Sequence, residues 1–383
     1  MTYKPNATVI VDGVDFTSDS INFVSIRYGR DNIWNQARPG YATIEILNDT
    51  NVDNGFDMNH SVVVKVQNSS GVDTTVFTGV ITSVVNKVDS SGQYGTAAIQ
   101  TITAVTSMAK MSRAQIHLGN WPKEFDDERM TRIFTEAGVT VDVVDTPGIY
   151  EMQANTAAPG DSYTLAARYA QMAFGNIYDT TADTIGFANE SRRFVYARDN
   201  GYTVIPKSNV LWRGIQSEKT LADIMNSIIL NYRAGSVLRS DATSIANYGK
   251  VEANISAELE KKVDAEFQAD RYITLRANPR TSLSSFQVQL DSSAVSNALR
   301  NTLIGCYMGL PIKIDNLPIA IKNTTYRGFV EGWNLRFSRE QMVIEMKTSD
   351  FTYSITPTRW QDVDPADTWN SVGATVQWDT YDD

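Results

Sequence analysis

A weak internal repeat is the feature that most restricts how this chain can fold. The stretch His60–Ser83 aligns without gaps on Gly309–Gly332, an offset of 249 residues. In this alignment Phe77-Thr-Gly79 is matched with Tyr326-Arg-Gly328, so an aromatic residue lies two positions before a glycine in both stretches.

A third segment extends the repeat. Ile102–Ser107 matches Ile344–Ser349 after a gap of seven residues, and both segments end in Thr-Ser. The shared order of strand, aromatic-x-Gly strand and further strand predicts two units of similar topology in one chain.

Both units are predicted to consist of short β-strands. Residues 1–110 contain six segments rich in Val, Ile, Thr and aromatic residues, among them Ser61–Gln67. Residues 271–350 return to such segments, beginning with Tyr272–Leu275. Short strands divided by turn signals fit a small antiparallel barrel or sandwich.

The hydrophobic period changes between the two units. Asp126–Gly138, Asp161–Gly175 and Ser217–Tyr232 place apolar residues on one face at helical spacing, and glycines end the first two. This spacing predicts three amphipathic helices, and the strand-like pieces between them indicate a mixed α/β region.

We therefore predict an α+β fold class that is mainly β, with two similar antiparallel β-barrels flanking an α/β region. At 383 residues the chain is too long for one ordinary domain. The predicted divisions are 1–110 for the first barrel, 111–255 for the α/β region, 256–350 for the second barrel and 351–383 for an extended C-terminal arm.

The arm carries three tryptophans, Trp360, Trp369 and Trp378, at a spacing of nine. It holds six Asp against one Arg, and two prolines favour an extended chain. Large aromatic side chains outside a core favour docking onto a partner. We expect these tryptophans to bind a neighbouring subunit or protein, or the arm to fold back on its own barrel.

Residues able to perform catalysis are scarce. The histidines are His60 and His117, and neither belongs to a metal or catalytic motif. The one cysteine, Cys306, lies in an apolar context and is predicted to be a buried packing residue. No cofactor is predicted, and the sequence offers no enzyme site.

Three charged groups also have simple structural interpretations. The run Asp126-Asp127-Glu128 falls in the first turn of a predicted helix, where acidic residues favour the macrodipole. We predict that the pair Arg192-Arg193 is solvated rather than a phosphate clamp. Asp362, Asp364 and Asp367 lack the glycine turn and terminal Glu of a calcium loop.

Charge and hydropathy limit the partners. The net charge of −10 argues against a general nucleic-acid surface, because such surfaces need Lys and Arg to neutralise phosphates. The sequence shows no signal peptide and no apolar run of about 18–20 residues that could span a membrane.

Several segments together resemble a known family. Tyr28-Gly-Arg-Asp31, Pro39–Asn48, Phe77–Ser83, Asp127–Gly138 and Glu331–Phe337 follow the order found in minor tail proteins of long-tailed bacteriophages. The tryptophan-containing end also resembles that family.

The resemblance implies the central hub of a phage tail tip or baseplate. In that family two tail-tube-like barrels per subunit form, in a homotrimer, a pseudo-sixfold ring that adapts the hexameric tail tube to a threefold tip. Implied partners are the distal tail protein, the tail tube or tape-measure protein, and other tip or fibre proteins. DNA would be a partner only in transit through the channel. The implied location is the distal end of the virion tail, after synthesis in the host cytoplasm.

Other functions are open on the sequence alone. A distal tail protein would form a hexameric ring with one tube-like barrel per subunit. A carbohydrate-binding tail module could stack the exposed tryptophans on sugar rings. A wall-degrading tail enzyme is the alternative against which the missing catalytic constellation argues. The mass of the oligomer separates the first alternative from the trimeric hub.

Overall fold

The computed structural model describes most of the chain, namely residues 3–48, 53–89, 97–116, 120–156, 160–210, 215–280, 282–318 and 324–354. The first part of the chain is made of β-strands: β1 (Ala7–Val11), β2 (Val14–Thr17), β3 (Ile21–Gly29), β4 (Arg38–Asn48), β5 (Ser61–Gln67), β6 (Asp73–Asp89) and β7 (Ala97–Val105).

The middle of the chain alternates helices with short strands. In chain order these are α1 (Met108–Met111), β8 (Gln115–Ile116), β9 (Asn120–Trp121), β10 (Glu124–Phe125), α2 (Asp126–Ala137), β11 (Val141–Val144), β12 (Glu151–Met152), β13 (Asn155–Thr156), β14 (Gly160–Asp161), α3 (Ser162–Met172), β15 (Asn176–Asp179), β16 (Ile185–Ala188), α4 (Arg192–Asn200), β17 (Thr203–Val204), β18 (Gln216–Glu218), β19 (Ser227–Tyr232), β20 (Gly235–Ser240), α5 (Ala242–Tyr248), β21 (Glu252–Ser256) and α6 (Lys262–Arg276).

Strands dominate again towards the C-terminus. These elements are β22 (Ser282–Gln289), α7 (Asn297–Ile304), β23 (Pro311–Asp315), β24 (Thr325–Phe337), β25 (Met342–Asp350) and a 3-10 turn over Phe351–Tyr353. Among the described residues no helix is long and apolar enough to cross a membrane.

The two strand-rich parts join in one 13-stranded sheet. Its hydrogen-bonded order is β18-β22-β25-β24-β3-β4-β7-β6-β5-β1-β2, with β23 paired to β24 and β17 paired to β23. The mainly β fold class is therefore confirmed. Pairing among the described residues follows an open path, so the closure of each unit into a barrel stays a prediction.

One face of this sheet covers the larger hydrophobic core. Alternate residues of each strand point inward, as in β5, where Val62, Val64 and Val66 are buried. The period of two is what an antiparallel sheet with one buried face requires. Full burial of such a side chain contributes about 2 kcal/mol.

A second core lies among the middle elements. Helix α2 buries Met130, Ile133 and Phe134 against α3 and the sheet β11-β16-β15. The helix ends at Gly138, whose φ of 65° is the left-handed conformation that glycine adopts at a C-cap. The predictions of helices at α2 and α3 are confirmed.

Two predicted elements are wrong. The helix predicted over Ser217–Tyr232 is replaced by β18 and β19, because β-branched Ile228 and Ile229 lie in the central strand of the β20-β19-β21 sheet. The strand predicted over Tyr272–Leu275 is the last part of α6, where Tyr272 packs into the second core.

Candidate assembly interface

The pairing of β6 with β7 repeats in the pairing of β24 with β25. Both ladders shift register at one residue, Thr82 between Ile81 and Ser83 in the first and Glu331 in the second. These two bulged residues are 249 positions apart, the offset of the sequence repeat.

The repeated glycines occupy equivalent environments. A Cβ on Gly79 would lie 2.4 Å from the carbonyl oxygen of Val105, and one on Gly328 would lie 2.3 Å from that of Ser349. In each case the aromatic ring two residues earlier is also within 3 Å. Both positions require glycine because a neighbouring strand and an aromatic ring fill the space of a side chain.

The predicted alignment of the third strand of the repeat is wrong by two residues. Val80 lies opposite Val105, and the equivalent Phe329 lies opposite Ser349. The last strands therefore correspond at an offset of 244 residues, two more than the match of Ile102 with Ile344 predicted. The bulge in each ladder determines which residues pair, and sequence similarity alone does not reveal this register.

The two units meet where β24 pairs with β3. Gly332 lies opposite Gly29, and a Cβ on either glycine would come within 2.6 Å of the other strand's backbone. Tyr28 stacks on Trp333, with ring centroids 5.1 Å apart. The junction is thus a continuous antiparallel ladder with close backbone packing.

A buried ion cluster stabilises this junction. The carboxylate of Glu331 is fully buried and accepts hydrogen bonds from Arg30 Nε at 2.6 Å, Arg193 Nη2 at 2.9 Å and Ser349 Oγ at 2.5 Å. Burial raises the pKa of Glu331, but the positive charges of Arg193 and Arg30 outweigh it and hold the pKa below its ordinary value. Burial also lowers the pKa of Arg193 to about 10, which leaves it charged at neutral pH.

The prediction that Arg192-Arg193 is solvated is wrong. Arg193 lies on α4 and connects the middle elements to Glu331 of β24, while Arg192 pairs with Asp145 at 2.7 Å. The guanidinium of Arg192 also lies 4.9 Å from the ring centroid of Tyr178. Partners distant in sequence cover most of both side chains, which are 10% and 13% exposed, so the neighbouring residues could not reveal these contacts.

Asp179 of β15 links the middle elements to the first unit. Its carboxylate accepts hydrogen bonds from the Gly40 amide at 2.6 Å and from Thr106 Oγ1 at 2.5 Å. Burial raises its pKa to about 6. The middle elements are therefore attached to both strand-rich units by buried polar contacts.

One half of β6 has an unpaired edge among the described residues. Strand β5 pairs with β6 as far as Val80, and Ile81 still exchanges backbone hydrogen bonds with Asn59 and His60, so the segment from Thr82 to Asp89 pairs with β7 alone. Val85 and Val88 in this segment are 57% and 62% exposed. At one end of the sheet path, β18 pairs with β22 alone within the described residues. Exposed edges of this kind can add a strand from another chain.

The sequence-predicted anchors Trp360, Trp369 and Trp378 lie outside the described residues, as do His117 and the acidic residues of the arm. His60 precedes β5 and is half-buried. Within the described ranges no group of three or more His, Cys, Asp or Glu could hold a metal ion.

Two smaller predictions concern buried groups. Cys306 is 2% exposed, as expected for a packing residue, and burial raises the pKa of its thiol. Asp126 begins α2, as predicted for the acidic run, and accepts hydrogen bonds from the amides of Ile149 and Tyr150. Burial raises the pKa of Asp126 to about 7.

The fold of the chain is that of phage tail proteins. It is similar to the tail protein from Neisseria meningitidis MC58, with a TM-score of 0.66 and 11% identity over 92% of this chain and 98% of that one. It is also similar to the 43 kDa tail protein of prophage MuSo2 from Shewanella oneidensis, with a TM-score of 0.63 and 11% identity over 90% and 98% of the two chains.

A third solved structure agrees with these two. The prophage tail protein gp18 from Listeria monocytogenes EGD-e has a TM-score of 0.54 and 10% identity, over 90% of this chain and 95% of that one. No protein-family model and no curated protein sequence matches. The resemblance to phage tail proteins predicted from the sequence is therefore confirmed at the level of the fold.

Proposed function

We propose that the protein is a structural component of a phage tail and forms the trimeric hub of its tip or baseplate. The observation that carries the proposal is the duplicated unit within one chain, with the same bulge and the same close-packed glycine in both copies. Three chains would supply six similar units, which matches a hexameric tube while keeping threefold symmetry. The proposal includes the domain boundaries predicted above: a first barrel over 1–110, an α/β region over 111–255, a second barrel over 256–350 and an arm over 351–383.

The outer face of the sheet supports a role in lining a channel for DNA. One row of half-buried residues crosses seven strands and is mostly short and polar: Gln289, Val343, Arg336, Ser25, Thr43, Thr103 and Ser83. Its one cation, Arg336, pairs with Glu345 at 3.4 Å. A lining without excess positive charge would let phosphates pass without binding.

The mass of the assembled protein tests the hub. Purified full-length protein at micromolar concentration is expected to have the mass of three 42.5 kDa chains by native mass spectrometry or light scattering. Obligate interfaces of this kind bury more than about 2,000 Å² and persist on dilution. A hexamer would favour the distal tail ring, and a monomer would contradict the hub.

The C-terminal arm is proposed to dock onto a neighbouring tip protein, such as a distal tail or tape-measure protein, through Trp360, Trp369 and Trp378. Buried tryptophans are frequent binding hot spots, and truncating one often costs at least about 2 kcal/mol of binding free energy. The first residues of the arm pack on the second unit, because Phe351 stacks on Phe329 with ring centroids 6.0 Å apart. The docking segment is therefore proposed to begin after Ser354.

Truncation after Ser354 tests this role of the arm. The shortened protein is expected to stay folded and trimeric but to be absent from tails purified from producing cells. A full-length variant with all three tryptophans changed to alanine is the matched control and should give the same defect. Normal incorporation of the truncated protein into tails would show that the arm is dispensable.

A further inference from the structure

We propose that the exposed half of β6 pairs with β18 of the next copy of this chain, as an antiparallel ladder that repeats the β24–β3 junction. The proposal rests on the trimeric ring proposed above and specifies which strand edges form it. The partner is therefore a second copy of the chain, joined head to tail.

Strand order identifies the two edges. The first unit runs β5-β6-β7-β4-β3, and the second runs β23-β24-β25-β22-β18. Strand β6 thus corresponds to β24, and β18 corresponds to β3. Within the chain, β24 of the second unit already pairs with β3 of the first. The remaining combination, β6 with β18, has no counterpart inside the described chain.

The unpaired segment is the one that the junction uses. Strand β24 pairs with β3 through Gly332–Phe337, and the offset of 249 places this segment on Ser83–Val88 of β6. Val85 and Val88 are exposed there, whereas their equivalents in the junction are less so, Asn334 being half-buried and Phe337 buried. A neighbouring strand would cover the exposed segment and complete its backbone hydrogen bonds.

The register follows first from β4 and β22. Thr43 of β4 pairs with Thr103, and Ser285 of β22 pairs with Lys347. Thr103 and Lys347 are equivalent at the offset of 244 established above. Residues of β4 and β22 are therefore equivalent at an offset of 242.

This equivalence extends to β3 and β18. Arg27 of β3 lies opposite Tyr41, and Ser217 of β18 lies opposite Leu283. Tyr41 and Leu283 are 242 residues apart, so Arg27 and Ser217 occupy equivalent positions.

The residues that pair between copies then follow from the residues that pair in the internal junction. Arg27 lies opposite Asn334 in the chain, and Asn334 corresponds to Val85. Ser217 of one copy is therefore opposite Val85 of the next. Such a head-to-tail contact uses two different surfaces, and three copies can close it into a ring.

A pair of cysteines tests this register in the full-length protein. Val85→Cys combined with Ser217→Cys is expected to give covalent dimers and trimers on non-reducing gels after mild oxidation, since opposed strand residues come within disulfide range. The native Cys306 is buried and should not react. Each single variant alone is expected to remain uncrosslinked.

Two double variants serve as matched controls. Arg27→Cys with Asn334→Cys occupies the equivalent positions inside one chain and should form an internal disulfide without changing the mass on the gel. Val88→Cys with Ser217→Cys places the thiols about 10 Å out of register along the strand, at about 3.3 Å per residue, and should not crosslink.

The outcomes distinguish this proposal from the hub itself. A native trimer whose 85/217 variant stays uncrosslinked, while the 27/334 control forms its disulfide, overturns the strand pairing and leaves the hub intact. Crosslinking of the 88/217 variant alone overturns the register. A wild-type protein that is not a trimer contradicts the hub, and the strand pairing with it.

Discussion

Replacing Glu331 with glutamine is expected to lower the free energy of unfolding by about 3–5 kcal/mol, because it leaves buried positive charge without its partner. Arg30 and Arg193 both pair with this carboxylate, which has no exposure to solvent. The amide can accept a hydrogen bond but carries no charge, so both guanidinium groups would remain buried and uncompensated. Denaturant unfolding followed by tryptophan fluorescence measures the loss.

Glu345→Gln is the matched control. Glu345 pairs with Arg336 at 3.4 Å on the outer face of the same sheet, where its side chain is 29% exposed. Partly exposed pairs of this kind contribute less than about 1 kcal/mol. Both variants should be compared at one protein concentration, since dissociation of an oligomer adds to the measured stability. Equal effects at the two positions would contradict the role assigned to the cluster.

The pH dependence of the Glu331 variant gives a separate readout. Glu331 has a lower pKa in the fold than its ordinary value of 4.5. Its ionised form is therefore favoured by folding, and the stabilisation is complete above pH 4.5 and is lost as the pH falls through the lower pKa. The wild-type advantage over Glu331→Gln should accordingly shrink on acidification, in unfolding experiments repeated along a pH series.

Alanine at Gly79 or at Gly328 is expected to destabilise the protein by about 3 kcal/mol in each case, because an added methyl group overpacks a filled site. The new Cβ would lie 2.4 Å from the Val105 carbonyl oxygen in one unit and 2.3 Å from that of Ser349 in the other. Neither strand can move without breaking its ladder. Thermal or denaturant unfolding of the two variants should show similar losses.

Gly305→Ala is the control for this pair. A Cβ there would lie 3.6 Å from its nearest neighbour, an ordinary contact, and no loss of stability is expected. If alanine is tolerated at one of the repeated glycines and not at the other, the two positions are not equivalent and the duplication of the unit loses its support.

The strand-rich units could be predicted because their signals are local. Ser61–Gln67 alternates buried and less buried residues, and the predicted strand has the bounds of β5. The repeated aromatic-x-Gly pattern also pointed to Gly79 and Gly328, whose packing the structure then explains. Turn residues and a period of two specify such strands without reference to distant parts of the chain.

The middle elements were harder to predict because their patterns are ambiguous. Apolar residues in Ser217–Tyr232 fit the spacing of a helix, yet a short run such as Ile228–Leu230 equally fits a buried strand. The reverse error occurred at Tyr272–Leu275, where residues that favour strands end α6. Packing against the second core decided both cases.

The buried cluster and the strand edges could not be predicted from local sequence. Glu331, Arg30 and Arg193 lie far apart in the chain, and only the sheet junction brings them together. Val85 and Val88 look like ordinary strand residues, and their exposure depends on where β5 ends. Both features follow from the topology of the whole sheet.

Because the two units are covalently connected and have separate sequences, their surfaces can carry different residues at equivalent positions. In a ring of six identical chains, every substitution appears six times. In a ring of three duplicated chains it appears three times, at alternate positions. The bulge residues illustrate this: Glu331 holds two arginines, whereas its equivalent Thr82 is exposed. Surface residues that differ between alternate units would let a threefold partner recognise every second unit. Contacts common to both units would still match the sixfold symmetry of the tube.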